Sequence, residues 1–261
     1  MTVGASTSNF YPAPLEDALD TVLAAGFRNV EIFLNAPSEV SPAFVDDLRR
    51  HCDTAGAVVS AVHPYSSFME PFFLFSPYER RADDGLEMYK PQFEAAAQLG
   101  APYLVLHGAK SLGQLSVEQL LMRYERLYDL GRSFGVTVAQ ENVNKFSSAE
   151  LSFLQAMKTT LGEKAKFVFD LKQCNRCGLE PLHVIETMGN HIVHVHISDR
   201  NEWYDCLPPG RGTRDFKAVL QALKTVGYDG VLMLELYRPN FESAEDLKTS
   251  RAFLEEIACH L

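Results

Sequence analysis

Val226-Gly227-Tyr228-Asp229-Gly230-Val231-Leu232-Met233-Leu234-Glu235 is the most legible unit of the chain. An amphipathic stretch ends at Gly227, a turn follows, and a short apolar run closes on a carboxylate. Gly just past a helix, followed by an apolar run of strand length, signals a helix-to-strand connection. The unit recurs upstream: Gly26 then Asn29–Leu34, Gly56 then Ala57–Val62, and Gly100 then Pro102–His107. It recurs again as Gly135 then Val136–Glu141, Gly162 then Ala165–Asp170, and Gly189 then His191–Ile197. With Thr2–Ser6, eight strands are expected.

Helices are expected between them, over about Pro14–Ala25, Pro42–Thr54, Pro77–Leu99, Val117–Phe134, Ala149–Leu161, Pro181–Met188, Phe216–Val226 and Ala244–Cys259. Leu15, Leu19, Val22 and Leu23 carry the spacing of one helix face. Eightfold β/α alternation points to a parallel sheet closed into a single (β/α)8 TIM barrel. The doubly wound alternative favours a Gly-rich first turn, and Thr7-Ser8-Asn9-Phe10-Tyr11 has none. The length of 261 residues suits one barrel domain over 1–261, since such barrels take about 250 residues.

An apolar fraction of 46% excludes disorder as the dominant state. The net charge of −10 disfavours nucleic acid as a partner. No apolar run approaches the roughly 18 residues of a membrane span. Five cysteines, an odd number, and no secretory apolar region after Met1 suggest reduced thiols and a cytoplasmic location.

Strand ends should be apolar, yet His63, His107, Glu141, Asp170, His196 and Glu235 end six consecutive strands. That end is the face on which barrel active sites lie. Alternation turns Glu235 inward with Val231 and Met233, and turns both His194 and His196 inward. His196 is nearer the mouth; His194 reads as a structural histidine inside the barrel. Glu31 faces inward too, as a group supporting the site or touching a substrate hydroxyl. Glu141, Asp170, His196 and Glu235 form a set of three carboxylates and one imidazole. Such a set suits Mn²⁺, Mg²⁺ or Co²⁺, with Zn²⁺ also compatible. Without a cation the carboxylates would repel one another.

These motifs together resemble the xylose isomerase-like TIM barrel superfamily, in particular its sugar phosphate isomerase/epimerase family. The resemblance is carried by Asn29-Val-Glu-Ile-Phe, Leu104-Val-Leu-His107, Ala139-Gln-Glu141-Asn142, Phe169-Asp170, His194-Val-His196-Ile-Ser-Asp199, Pro209-Gly-Arg-Gly212-Thr-Arg-Asp215-Phe, Gly227-Tyr-Asp-Gly230 and Leu234-Glu235. It implies a metal held by Glu141, Asp170, His196 and Glu235, as in the related ketose 3-epimerases. It also implies that Glu141 and Glu235 act as the acid/base pair. The chain departs from those epimerases at Gln173, where they carry His, and at Glu202, where they carry Arg. Arg200 could serve from a shifted position. Endonuclease IV, of the same superfamily, is matched by His63 and His107. The remaining site is not matched, because Gln173 replaces one of its histidines and Asp205-Cys206-Leu207 lacks another.

Further candidates are His63, His107, Gln173 and Arg200 as substrate contacts, with His107 also a ligand for a second metal. Trp203 or Tyr204 could stack on a sugar face. Arg200, Arg211 and Arg214, with Lys172 and Arg176, set positive charge on loops of the active face. Cys174 and Cys177 have the spacing of a metal or redox pair. Tyr65, Phe68, Phe72, Phe73, Phe75 and Tyr78 suit loop packing, a lid or an oligomer contact. The expected function is a divalent-metal-dependent isomerase or epimerase of a sugar, sugar phosphate or polyol-derived ketone, acting through an enediolate. The alternatives are a dehydratase of an inosose-like keto-polyol, an endonuclease IV-like hydrolase and a non-catalytic sugar-binding protein. The expected partner is a small carbohydrate, with no nucleic acid and no membrane, in a possible homo-oligomer.

Overall fold

All eight expected strands form, and they close on themselves. The computed structural model describes residues 1–111 and 113–261. The strands are β1 (Thr2–Ser6), β2 (Asn29–Phe33), β3 (Val58–His63), β4 (Tyr103–Leu106), β5 (Thr137–Glu141), β6 (Phe167–Asp170), β7 (Ile192–Ile197) and β8 (Val231–Leu234). Each pairs in parallel with the next, and β8 returns to β1 through registers such as Gly4↔Met233. Gly4 is required at this seam. A Cβ there would lie 2.7 Å from the Asn29 carbonyl and 2.9 Å from Met233.

The helices are α1 (Leu15–Ala24), α2 (Pro42–Ala55), α3 (Glu79–Leu99), α4 (Val117–Ser133), α5 (Leu151–Leu161), α6 (Leu171–Cys177), α7 (Pro181–Met188), α8 (Phe216–Thr225) and α9 (Ala244–Cys259). Gly56 and Gly100 follow α2 and α3 in the left-handed conformation that the sequence pattern called for. On α1, Leu15, Leu19, Val22 and Leu23 are all buried. Burial of each such side chain contributes about 1.5–3 kcal/mol.

The sequence pattern did not signal α6. It starts immediately after β6 because the Asp170 side chain accepts a hydrogen bond from the Gln173 amide at 2.9 Å. The expected cysteine pair therefore lies on a helix. Cys174 is buried, with its thiol 3.3 Å from the Asp170 carbonyl oxygen.

Two packed layers place the site. Outside, the aliphatic faces of helices and strands form the large core. Inside, Ala61, Val105, Ala139 and Val168 fill the barrel with small side chains. Residues alternate along a strand, so the next inward positions toward the C-terminal end are His63, His107, Glu141 and Asp170. On β7 the inward pair is His194 and His196. Along β3 to β6 the barrel thus changes from apolar floor to ionisable mouth within one step of the pleat, while Glu31 and His194 carry polar groups into the lower layer.

Candidate metal centre and active site

Glu141, Asp170, His196 and Glu235 converge, each offering one ligand atom within 4.8 Å of the others. His196 Nδ1 lies 3.6 Å from Glu141 Oε1, 3.7 Å from Asp170 Oδ2 and 3.5 Å from Glu235 Oε2. What this nitrogen presents is set one layer below. Glu31 is fully buried, and its Oε2 lies 2.9 Å from both His196 Nε2 and His194 Nε2. A carboxylate only accepts, so each Nε2 carries the proton. His196 Nδ1 is then left with a lone pair aimed at three carboxylates. Glu141 Oε2, Asp170 Oδ2 and His196 Nδ1 are all buried, and His196 Nδ1 has no hydrogen-bond partner. Three acceptor-only carboxylates and one imidazole lone pair, oriented by a carboxylate behind it, suit a divalent cation.

The charges are strongly linked. Burial raises the Glu31 pKa, but the His196 and His194 imidazoles outweigh it and hold the group well below the usual carboxylate range. Burial opposes charging of His196, yet Glu31 and Glu235 hold it well above the ordinary imidazole value. In the metal-free protein a proton on Nδ1 thus relieves the same repulsion that a cation would relieve.

Lys172 is the residue that sequence reasoning placed only loosely, as one of several loop charges. Its ammonium is buried, 2.6 Å from Glu235 Oε2 and 3.2 Å from Asp170 Oδ2. Burial disfavours its charge, but Asp170 and Glu235 hold it well above the usual lysine range. The same contact outweighs burial at Glu235 and keeps that carboxyl below its ordinary value. The signal for it is its place two residues after Asp170, at the start of α6.

A second cluster joins the first through Glu141. His63 and His107 face each other with their Nε2 atoms 3.1 Å apart, and His107 Nε2 is 3.1 Å from Glu141 Oε2. Burial, then the neighbouring His107, lowers the His63 pKa to about 4, so His63 is neutral and can accept. Glu141 outweighs burial and raises His107, which stays partly open to the mouth.

The other expected contacts separate into groups. Gln173 stands beside Asp170 and accepts a hydrogen bond from the Asn144 amide at 3.1 Å, tying the β5 and β6 loops together. Glu31 lies under His196 and is fully buried. Arg200 is exposed and lines a cavity of about 470 Å³ with Asn175, Thr213 and Arg214. Trp203 is 80% exposed on a turn organised by Asn201 Oδ1, which accepts from the Trp203 and Tyr204 amides. Neither Arg200 nor Trp203 joins the ionisable cluster.

Two carboxylates that sequence reasoning passed over hold the rim. Asp199 accepts from the amides of Arg200, Gly210, Gly212 and Arg214 at 2.8–3.1 Å, fastening the long loop after β7. Glu70 is buried and accepts from the Gly108 amide at 2.5 Å and the Tyr89 hydroxyl at 2.6 Å. It anchors the aromatic loop after β3 to the end of β4. Burial pushes its carboxyl up to about 7.

A cavity of about 810 Å³ opens over this face and reaches Glu235, the most exposed of the four converging residues. Among the described residues, no helix is long and apolar enough to cross a membrane.

A model of the xylose isomerase-like TIM barrel family matches residues 19–257. The chain is 25% identical over 248 residues to an uncharacterized protein of Methanocaldococcus jannaschii, covering 90% of this chain and 83% of that one. It is 25% identical to an inosose isomerase of Bacillus licheniformis, covering 66% of this chain and 68% of the relative. An inosose dehydratase of Lacticaseibacillus casei is 25% identical, covering 84% and 81%. The crystal structure of a D-tagatose 3-epimerase-like protein superimposes with a TM-score of 0.81 at 22% identity, covering 99% of this chain and 97% of the other.

Proposed function

The chain belongs to the xylose isomerase-like TIM barrel family, and from that premise we propose that it is a divalent-metal-dependent isomerase or epimerase of a sugar, sugar phosphate or polyol-derived ketone. The observation that carries this reading is His196 Nδ1, its ring held from behind by Glu31, facing Glu141, Asp170 and Glu235. In this reading those four residues hold Mn²⁺, Mg²⁺, Co²⁺ or Zn²⁺, which supplies charge stabilisation for an enediolate oxygen.

The chain's own residues do the rest. Glu141 and Glu235 exchange a proton with the carbon next to the carbonyl, one removing it and the other returning it on the opposite side. Lys172 keeps Glu235 ionised and ready to accept. His63 and His107 hold substrate oxygens beside Glu141; neutral His63 accepts from a hydroxyl. Burial of Glu141 and His63 excludes water from the reacting carbon.

Metal analysis of the purified protein, followed by a screen of ketoses, their phosphates and inososes in deuterated water, tests the proposal. Deuterium incorporation next to the carbonyl with a change of isomer is the expected result. Glu141→Gln should lower turnover by at least about a hundredfold, the span of one general acid/base group. A protein that binds none of the four ions, or turnover that survives Glu141→Gln, refutes it. Loss of water is the second reading, favoured by the likeness to an inosose dehydratase over 84% of this chain. It shares the proton removal and differs in expelling a β-hydroxyl, so product mass separates the two.

A further inference from the structure

The mouth of the barrel is divided by chemistry. The loops after β4 to β7 bring His107, Glu141, Asp170, Lys172 and His196 to one side. The loops after β8, β1, β2 and β3 line the 810 Å³ cavity on the other, where Tyr11, Phe33, Tyr65, Phe68 and Tyr237 stand around it. Phe68 is 77% exposed and Tyr11 61% exposed, so both present apolar surface to a ligand in the cavity. The one cationic side chain in the lining is Arg238. Its guanidinium is already spent on the carbonyls of Phe241 and Glu242, at 2.7 and 3.2 Å. Apart from Arg238 and Glu235, the lining of that half is aromatic, aliphatic or neutral. Its volume lies toward the upper end of the range for sites that enclose drug-sized ligands, about 300–1,000 Å³, and is several times that of a free ketose.

We infer that the substrate is a conjugate: a polyol or sugar end that reacts at Glu235 and Glu141, joined to a flat, apolar group that lies among these aromatic side chains. The inference rests on the reading that the reaction occurs at Glu141 and Glu235, and it narrows the substrate class. The continuity of the cavity with Glu235 fixes the orientation. The ionisable cluster at Glu235 suits the polar end, and Tyr11, Phe33, Tyr65, Phe68 and Tyr237 give an apolar ring stacking partners in the same cavity.

The test compares methyl and 2-naphthyl β-D-glucopyranoside by isothermal titration against the full chain, both metal-free and loaded with Mn²⁺. The naphthyl compound should bind at least about tenfold more tightly, the gain of one or two aromatic contacts. Phe68→Ala and Tyr11→Ala should each remove most of that gain without changing methyl glucoside binding or Mn²⁺ affinity. Equal binding of the two glycosides overturns the inference, as does a naphthyl advantage that survives both substitutions. Light scattering that shows a dimer dissociated by Phe68→Ala, with naphthyl binding only to the dissociated form, also overturns it by making a second copy the occupant. The metal-free arm separates this inference from the proposed function. A naphthyl preference in a protein that binds no metal sinks the isomerase reading alone, and Mn²⁺ binding with no preference sinks the substrate class alone.

Discussion

Replacing Lys172 with Met removes the ammonium that contacts both Asp170 and Glu235. At 2.6 and 3.2 Å, and with an effective dielectric of about 20, each contact represents roughly 5–6 kcal/mol of attraction before desolvation is subtracted. Much of that is offset by burying the ammonium, so the measurable quantity is the cost of leaving its partners unpaired. For a buried pair that cost is about 3–5 kcal/mol. For a chain of this size it corresponds to a fall in Tm of roughly 10 °C in the metal-free protein. Metal binding should move the other way. In the wild type an incoming cation must take Glu235 Oε2 from the ammonium and then sit beside it. In the Met variant neither obstacle remains, so Mn²⁺ should bind about tenfold more tightly and, at saturation, recover roughly a third of the Tm lost relative to wild type. Calorimetric melting in the presence of a chelator, and Mn²⁺ titration of the same samples, give both numbers. A metal-free Tm within about 2 °C of wild type, or weaker Mn²⁺ binding in the variant, would refute the reasoning. Lys172→Arg, which keeps the charge, should show neither effect in full.

Glu31→Gln frees His196 to place its proton on Nδ1, and Mn²⁺ affinity should fall about 10–100-fold by titration, while circular dichroism stays unchanged. Asp199→Ala strips four backbone amides of their charged acceptor, and should cost about 3 kcal/mol or more. Faster tryptic cleavage at Arg211 and Arg214 is the accompanying readout. Glu70 titrates at about 7 when folded against a usual 4.5, so its contribution to stability is full below about pH 4.5 and is lost as pH rises through 7. The difference amounts to about 3 kcal/mol. A plot of Tm against pH should therefore fall more steeply between pH 5 and 7.5 in the wild type than in Glu70→Gln; parallel curves would contradict it.

The repeated unit of amphipathic stretch, Gly and apolar run made the barrel legible, because both periodicities are local. Every strand expected from it forms, with ends shifted by a residue or two. The converging residues were legible for the same reason: alternation along a strand fixes which side chains point inward, as at His196 and Glu235. Loops carry no such period. Arg200 and Trp203 follow β7 in sequence, on a loop that Asp199 folds back on its own amides, and both are exposed outside the ionisable cluster. Lys172 was hidden because a lysine just after a strand usually lies in solvent. Its burial follows from Asp170 starting α6 without a turn between. Glu31 was recognised as inward-facing, but its contact with two imidazoles depends on pairing across the whole barrel.

The amide clamp at Asp199 also bears on how this protein can change over generations. It closes the loop at both ends, at Arg200 and at Gly210 to Arg214, and leaves the Asn201–Tyr204 turn projecting beyond it. Residues can be exchanged or inserted at that projecting turn without disturbing the strand that carries His196. The clamp separates a fixed instrument from a variable tip, so new recognition can be tried there while the ionisable centre stays as it is.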